Sequence, residues 1–229
     1  MPLVVLILTL AFAGSTLWVP DFGGFDPNQF PVPQIEPPVQ PAGYAFAIWG
    51  VVYLWLLVSA VFGVVRRWSA PDWRDMRLPL ALSLAVGAVW LPAAVLSPVL
   101  ATVLIWAMLL PALAALWRSP VLDTGWASWP IGLYAGWLSA ASCVAIGLLL
   151  AGYGLLSEEA AAILMLGTAI VLASVVQGRL GRAPTYGLGV IWALVAVAVQ
   201  NGTGQLLIAL LALFGCGIVS GPTLRAIRG

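Results

Sequence analysis

Three observations predict an all-α polytopic membrane bundle of about eight helices. Apolar residues make up 62% of the chain and charged residues only 7%, with a mean hydropathy of +1.07, so polar surface is far too scarce to cover a water-soluble globule of this size. The apolar residues come in runs near the length that crosses a bilayer, separated by short polar or Pro/Gly breaks. All nine basic residues are arginine, and they recur only in alternate breaks.

In order, the runs cover residues 2–19, 43–65, 78–97, 99–117, 130–150, 160–178, 185–200 and 206–222. Most reach the roughly 17–25 residues that span about 30 Å of hydrocarbon, and the last two are short. Arg66, Arg67, Arg74 and Arg77 follow the second run, Arg118 the fourth, Arg179 and Arg182 the sixth, and Arg225 and Arg228 the eighth. The intervening breaks at 20–42, 97–98, 151–159 and 201–205 lack basic residues and carry Asp21, Asp26, Glu36, Glu158 and Glu159. A helix more or fewer among the first seven would scatter the arginines over both faces. The positive-inside rule then places both termini in the cytoplasm, with a bacterial inner membrane as the expected location.

Residues 3–13, LVVLILTLAFA, have the apolar core of a signal peptide, but no basic residue precedes them. A retained first helix is expected. Residues 20–42 hold seven prolines and two adjacent glycines, which predicts a stiff, extended outer loop. That loop reads either as a linker or as a lid over the outer end of the bundle.

Of the twelve tryptophans, Trp18, Trp68, Trp73, Trp117, Trp126 and Trp129 sit at run ends, where an interfacial belt is expected. Trp49, Trp55, Trp90, Trp106, Trp137 and Trp192 lie inside their runs, each with an indole N–H that water cannot reach. At about 1.5 Å per residue, Trp49, Trp90 and Trp106 share a layer about 9–10 Å below the outer end, with Trp192 at about 12 Å and Tyr53 at about 15 Å. Phe46 lies just above that layer and Trp137 well below it. On the second helix, Phe46, Trp49 and Tyr53 share a face, whereas Trp55 points toward packing or lipid. This face has two readings, a cavity wall for a flat apolar ligand or interhelical core.

Several function classes are disfavoured. No ionisable side chain other than cysteine or tyrosine lies within an apolar run, which argues against ion-coupled transport. A net charge of +1 offers no field for nucleic acid. With no histidine, and with Cys143 and Cys216 unpaired in apolar runs, neither a zinc site nor a His-ligated haem can be built. Nothing resembles a nucleophile with its base, a carboxylate pair or a phosphate loop, so no catalytic residues are assigned and an enzyme is not expected. Ser139, Ser142, Cys143, Gln177 and Gln200 are the main intramembrane polar groups, with the serines and cysteine expected to bond back to helix carbonyls. Gly136, Ala140, Cys143 and Gly147, and separately Gly217 and Gly221, form small-residue stripes suited to close helix contact.

The stretch PPVQPAGYAFAIWGVVYLWL resembles the start of the second helix in the tryptophan-rich sensory protein/translocator protein (TspO/MBR) family, with Pro41, Tyr44, Phe46, Trp49 and Tyr53 in matching positions. LALSLAVGAVWLPAAV is similar to the third helix through Trp90 and Pro92, and LYAGWLSAASCVAI to the fifth through Tyr134, Trp137 and Ala141. The resemblance implies a five-helix module over residues 1–150, loop 20–42 included, followed by a three-helix extension over 151–229; a chain ending near Ser157 would then fold alone. It also implies a pocket closed by the loop between helices 1 and 2, since family members bind porphyrins and in some cases sterols or synthetic lipophilic ligands, and many form dimers.

Together with the depth argument, the expected ligand-binding residues are Phe46, Trp49, Tyr53, Trp90, Trp106 and Trp137. Where the family carries asparagine on helices 3 and 5, this chain has Gly87 and Ala145, so broad selectivity among flat apolar molecules is expected. The expected function is binding of a planar lipophilic ligand, a tetrapyrrole, sterol or carotenoid-like molecule, as a sensor or carrier in the lipid bilayer. The alternative is a non-enzymatic structural or assembly subunit of a larger membrane complex.

Overall fold

The computed structural model describes residues 1–17, 19, 22–202 and 204–228. Trp18, Pro20 and Asp21, assigned above to the interfacial belt and the outer loop, lie outside them. Eight α-helices follow in order: α1 (Pro2–Gly14), α2 (Ile48–Val65), α3 (Arg74–Leu96), α4 (Pro98–Trp117), α5 (Ser128–Gly152), α6 (Glu158–Leu180), α7 (Thr185–Asn201) and α8 (Leu206–Arg228). Six are long and apolar enough to cross a membrane, while α1 with its terminal 3-10 turn and α7 are shorter. The fold is the all-α helical bundle that the apolar runs predict.

Helix limits follow local chemistry. Ser97 precedes a proline and is extended, with φ −158° and ψ 118°, which stops α3. Pro98 then opens α4 at a position where no N–H is needed, and the Ser97 hydroxyl accepts from the Leu100 N–H. Ser157 caps α6 in the same way, with Glu158 and Glu159 in the first turn; α6 ends at Gly181, whose φ of 63° suits a residue without Cβ. Two helices outrun their apolar segments. α3 starts at Arg74 and α8 continues through Pro222 to Arg228, so both carry arginines on turns beyond the apolar stretch.

α5 is the central element and packs against α2, α4, α6 and α7; α8 covers α6 and α7, and α1 lies on α2 and α3. The α5–α7 seam is set by backbone approach. A Cβ at Gly136 would collide with the Tyr186 carbonyl, and one at Gly189 would lie 3.0 Å from the Trp137 amide nitrogen. Only small residues permit that approach. The Tyr186 hydroxyl then shares a hydrogen bond of 2.9 Å with Ser139, which also bonds back to the Ala135 carbonyl. The second small-residue stripe behaves differently, because a Cβ at Gly217 or Gly221 would meet nothing within 4 Å. The close contact expected at that stripe is not formed within the chain.

Successive helices run up and down, which gathers every arginine at one end. There Arg67 bridges to Asp123, Arg182 reaches the α4 terminus, and Thr185 bonds the Trp129 carbonyl. Trp73 departs from the belt expectation: it is only 2% exposed, and its indole N–H donates to Asp123 Oδ2 at 2.8 Å. Trp68, Trp117, Trp126 and Trp129 are exposed. At the other end, residues 22–42 lie across the tips of α3, α5 and α7.

Candidate ligand-binding cavity

The outer loop forms a tied-down lid. Asp26 and Gln29 make a reciprocal capping box around a 3-10 turn at Pro27–Gln29. The Gln29 amide also donates to the Ala94 and Val95 carbonyls that α3 leaves free. The Val32 N–H donates to the Gly152 carbonyl at the end of α5, and Asn201 on α7 donates to the Pro38 carbonyl. Phe30 and Val39 drop into the space left by Gly152 and Gly147 on α5.

α7 also holds the entry to α2. The Ala42 N–H donates to the Ala196 carbonyl, and the Trp192 indole donates to the Ala45 carbonyl at 2.9 Å. Residues Gly43–Ala47 form a 3-10 segment before α2 begins at Ile48. Phe46 is therefore aimed from a fixed 3-10 turn.

Beneath the lid lies a cavity of about 60 Å³. The lid contributes Phe22, Gly24, Phe25, Gln40 and Pro41; α3 and α4 contribute Trp90 and Ile105. Trp137, Ala140, Ala141, Val144, Ala145 and Leu148 of α5 form one wall, Phe46 another, and Ala193 of α7 completes the lining. The side-chain polar groups in this lining are the Gln40 amide and two indole N–H groups. The lining is apolar and aromatic with a few polar groups, the character of small-molecule sites, but the space itself is small.

The two indoles differ in a way that matters. Trp90 donates to the Ala101 carbonyl at 2.9 Å and so ties α3 to α4. Trp137 is 2% exposed, and its Nε1–H has no hydrogen-bond partner. A buried donor left unmatched costs about 1–3 kcal/mol.

An aromatic column runs from lid to core. Phe25 packs edge-on to Phe22, Phe22 to Trp90 at 5.3 Å and to Phe46 at 6.4 Å, and Phe46 to Trp137 at 5.9 Å. Trp49 then meets Trp137 at 6.2 Å and stacks on Tyr53 at 5.4 Å, while Phe12 of α1 caps both. Phe46, Trp90 and Trp137 thus line the cavity, whereas Trp49 and Tyr53 form the layer behind Trp137. Trp106 is outside the lining; it packs against the hydrophobic core, with its indole N–H unpartnered. Trp55 bonds the Gly125 carbonyl at the arginine end.

The two positions read as departures from the family pattern have distinct roles. Gly87 is covered by Phe12, whose ring carbon would lie 2.7 Å from a Cβ there. Ala145 faces the cavity itself. A profile of the TSPO-like protein family matches residues 28–224. The chain belongs to this family. The match runs through α6 and α7 into α8, well beyond the segment that carries the resemblance in sequence. No curated protein and no solved structure matches the chain. Membership and the long apolar helices make this TSPO-like protein an integral membrane protein. Among the described residues, no group of three or more His, Cys, Asp or Glu side chains could hold a metal ion.

Depth counting could not find Phe22, Phe25 or Gln40, because they come from the loop, nor Ala193, because a small residue leaves no periodic mark. The sequence FGGF at 22–25 did carry a signal, two of the three phenylalanines of the proline-rich outer loop set around a glycine pair.

Proposed function

We propose that this TSPO-like protein binds a flat lipophilic molecule in the lid-covered cavity, as a sensor or carrier. The observation that carries the reading is the aromatic chamber itself, walled by Phe22, Phe46, Trp90 and Trp137, beside which the buried Trp137 N–H has no partner. The ligand presents an apolar face to Trp90 and Phe46 and a hydrogen-bond acceptor to Trp137. Gln40 at the mouth serves any polar edge. With Ala145 and Gly87 supplying no polar anchor, selectivity rests on shape and burial and spans tetrapyrroles, sterols and polyenes.

The test is quenching of tryptophan fluorescence by a tetrapyrrole, a sterol analogue and a polyene, using protein in lipid nanodiscs. Ala145→Phe fills the chamber and should abolish binding, and Trp137→Phe should weaken ligands with a suitable acceptor by about fivefold to tenfold. Trp126→Ala, exposed at the opposite end, should change little. Binding that survives Ala145→Phe, or failure of all three classes to bind, would overturn the reading. We further propose that the arginine end faces the cytoplasm of a bacterial cell. In a chain with Cys143 and Cys216 replaced, a cysteine at Asn28 should then react with an impermeant reagent in intact cells, while one at Asp72 should not.

A further inference from the structure

The outward face of α2 carries an open groove of about 410 Å³ at the arginine end. Leu57, Val58, Val61 and Val65 line it along the helix, Phe62 and Trp126 stand beside them, and Arg66 ends the row. Val58, Val61 and Val65 are exposed, and their spacing of three and four makes one continuous apolar stripe.

The aromatic wall of this groove is held in place. Trp126 belongs to the connection between α4 and α5 and stacks on Phe62, with ring centroids 4.7 Å apart and planes 6° from parallel. The Trp55 indole donates to the Gly125 carbonyl, while Arg67 and Trp73 both donate to Asp123, so the connection is pinned on each side of the stack. The Arg67 guanidinium also lies 5.5 Å from the centre of the Phe62 ring. Trp126 is 45% exposed all the same. It is a fixed ring with one side open to the bilayer.

Length and charge identify the occupant. The stretch from Leu57 to Arg66 rises about 14 Å, close to half of the roughly 30 Å hydrocarbon layer, so the groove is one leaflet deep. Arg66 stands where α2 ends. Among the described residues no carboxylate forms an ion pair with it, whereas the neighbouring Arg67 is matched by Asp123. The same end gathers nine arginines against Asp72, Asp75 and Asp123, a field that attracts anions at the membrane surface. A second copy of the chain, packed side by side about a two-fold axis, would bring its own arginine end against Arg66. The groove on α6 offers the contrast. It is larger, about 670 Å³, and its lining, which includes Leu164, Gly167 and Val171, contains no aromatic or charged side chain.

We propose that the α2 groove binds a phospholipid with a net negative headgroup, one acyl chain lying along the valine stripe against Trp126 and the phosphate seated at Arg66. The α6 groove takes hydrocarbon chains without regard to headgroup. The proposal is independent of the lid-covered cavity.

The experiment uses the full chain in phosphatidylcholine nanodiscs doped with one of two photoreactive lipids, phosphatidylglycerol or phosphatidylcholine, each with the same diazirine-bearing acyl chain. After photolysis, adducts are mapped by peptide mass spectrometry. On Leu57, Val58, Val61 and Val65 the phosphatidylglycerol probe should exceed the phosphatidylcholine probe by about fivefold, while on Leu164 and Val171 the two should be equal. Arg66→Gln should bring the α2 ratio close to one, and Arg66→Lys should keep most of the excess. Trp126→Ala should lower labelling of the α2 groove by both probes, and unchanged labelling of α6 serves as the folding control for every variant. Equal labelling of the α2 groove by both headgroups in the unmodified protein would overturn the proposal without recourse to any variant. So would a phosphatidylglycerol excess of the same size on α6, an excess that survives Arg66→Gln, or an α2 groove that neither probe reaches because a second copy covers it.

Discussion

At the arginine end the helices are fastened by charge-assisted bonds, whereas at the lid end a chamber is closed by apolar plugs. Arg67 grips Asp123 through two nitrogens at 2.6 and 3.0 Å. Arg182 spreads over the Leu116, Trp117 and Ser119 carbonyls, and Arg77 bonds the Trp68 and Arg67 carbonyls. The lid instead relies on Phe22, Phe25, Phe30 and Val39 and a few neutral hydrogen bonds. It also buries the Gln34 Oε1 without a partner, which water would satisfy if the lid lifted. Strong directional bonds hold one geometry, while apolar plugs can leave and return. If the bundle opens, the difference predicts that it opens at the lid end and not at the arginine end.

The largest test of that division is removal of residues 158–229. The lid end would lose the Ala193 wall and the α7 bonds to Pro38, Ala42 and Ala45, and α5 would expose Gly136. Binding of flat ligands is expected to disappear in the fluorescence assay. A shortened chain that still binds would make residues 1–150 the self-contained module suggested by the sequence.

Next in size is Arg182→Ala. It leaves the α4 carbonyls without their cation and should cost about 1.5–3 kcal/mol in unfolding measurements. Arg182→Lys should recover only part, because a single ammonium cannot reproduce a planar fork. Ligand affinity at the far end should be little changed. A large loss of affinity with intact stability would show that the two ends are coupled.

A smaller effect is expected from Phe22→Ala with Phe25→Ala. Each ring is only partly buried, so the stability loss should be about 0.5–1 kcal/mol per ring. Stopped-flow association should become faster as the mouth opens, and dissociation faster still, because Phe22 also packs on Trp90. Unchanged rates would mean that the lid does not gate the chamber.

The helices were legible in the sequence because bilayer-length apolar runs and one-sided arginines are properties of composition and order alone. Phe46, Trp90 and Trp137, which line the cavity, were named from family-like motifs, and Trp90 also from its depth. Trp49 and Tyr53 were placed on the correct face but one layer too far forward, since periodicity gives direction and not distance from a cavity. Trp106 had the right depth on a different face, and depth along α4 carries no information about azimuth. Trp73 looked like a belt residue until Asp123, fifty positions away, supplied its acceptor. The contribution of α7 was hidden because its decisive residues, Gly189 and Ala193, act through what they lack.

The smallest expected effect concerns pH at the arginine end. The Asp123 carboxyl is held below its usual range chiefly by hydrogen bonds from Arg67, against the opposing effect of partial burial, and the Trp73 N–H adds to the lowering. Folded protein therefore binds fewer protons at this group than unfolded protein does. The clamp's contribution is complete above the ordinary aspartate value, about 3.9, and is lost as pH falls through the lowered folded value. Arg67, raised by the same pair, stays charged throughout that range and adds no pH dependence. Because the Arg67 side chain is 39% exposed, solvent and salt screen the attraction, so the effect should be modest. Asp123→Asn keeps an acceptor for Trp73 but removes the charge. Its deficit in thermal stability should be constant near neutral pH, shrink below about pH 4, and diminish in high salt. A deficit that stays constant into acid would mean that packing, and not charge, fastens this end.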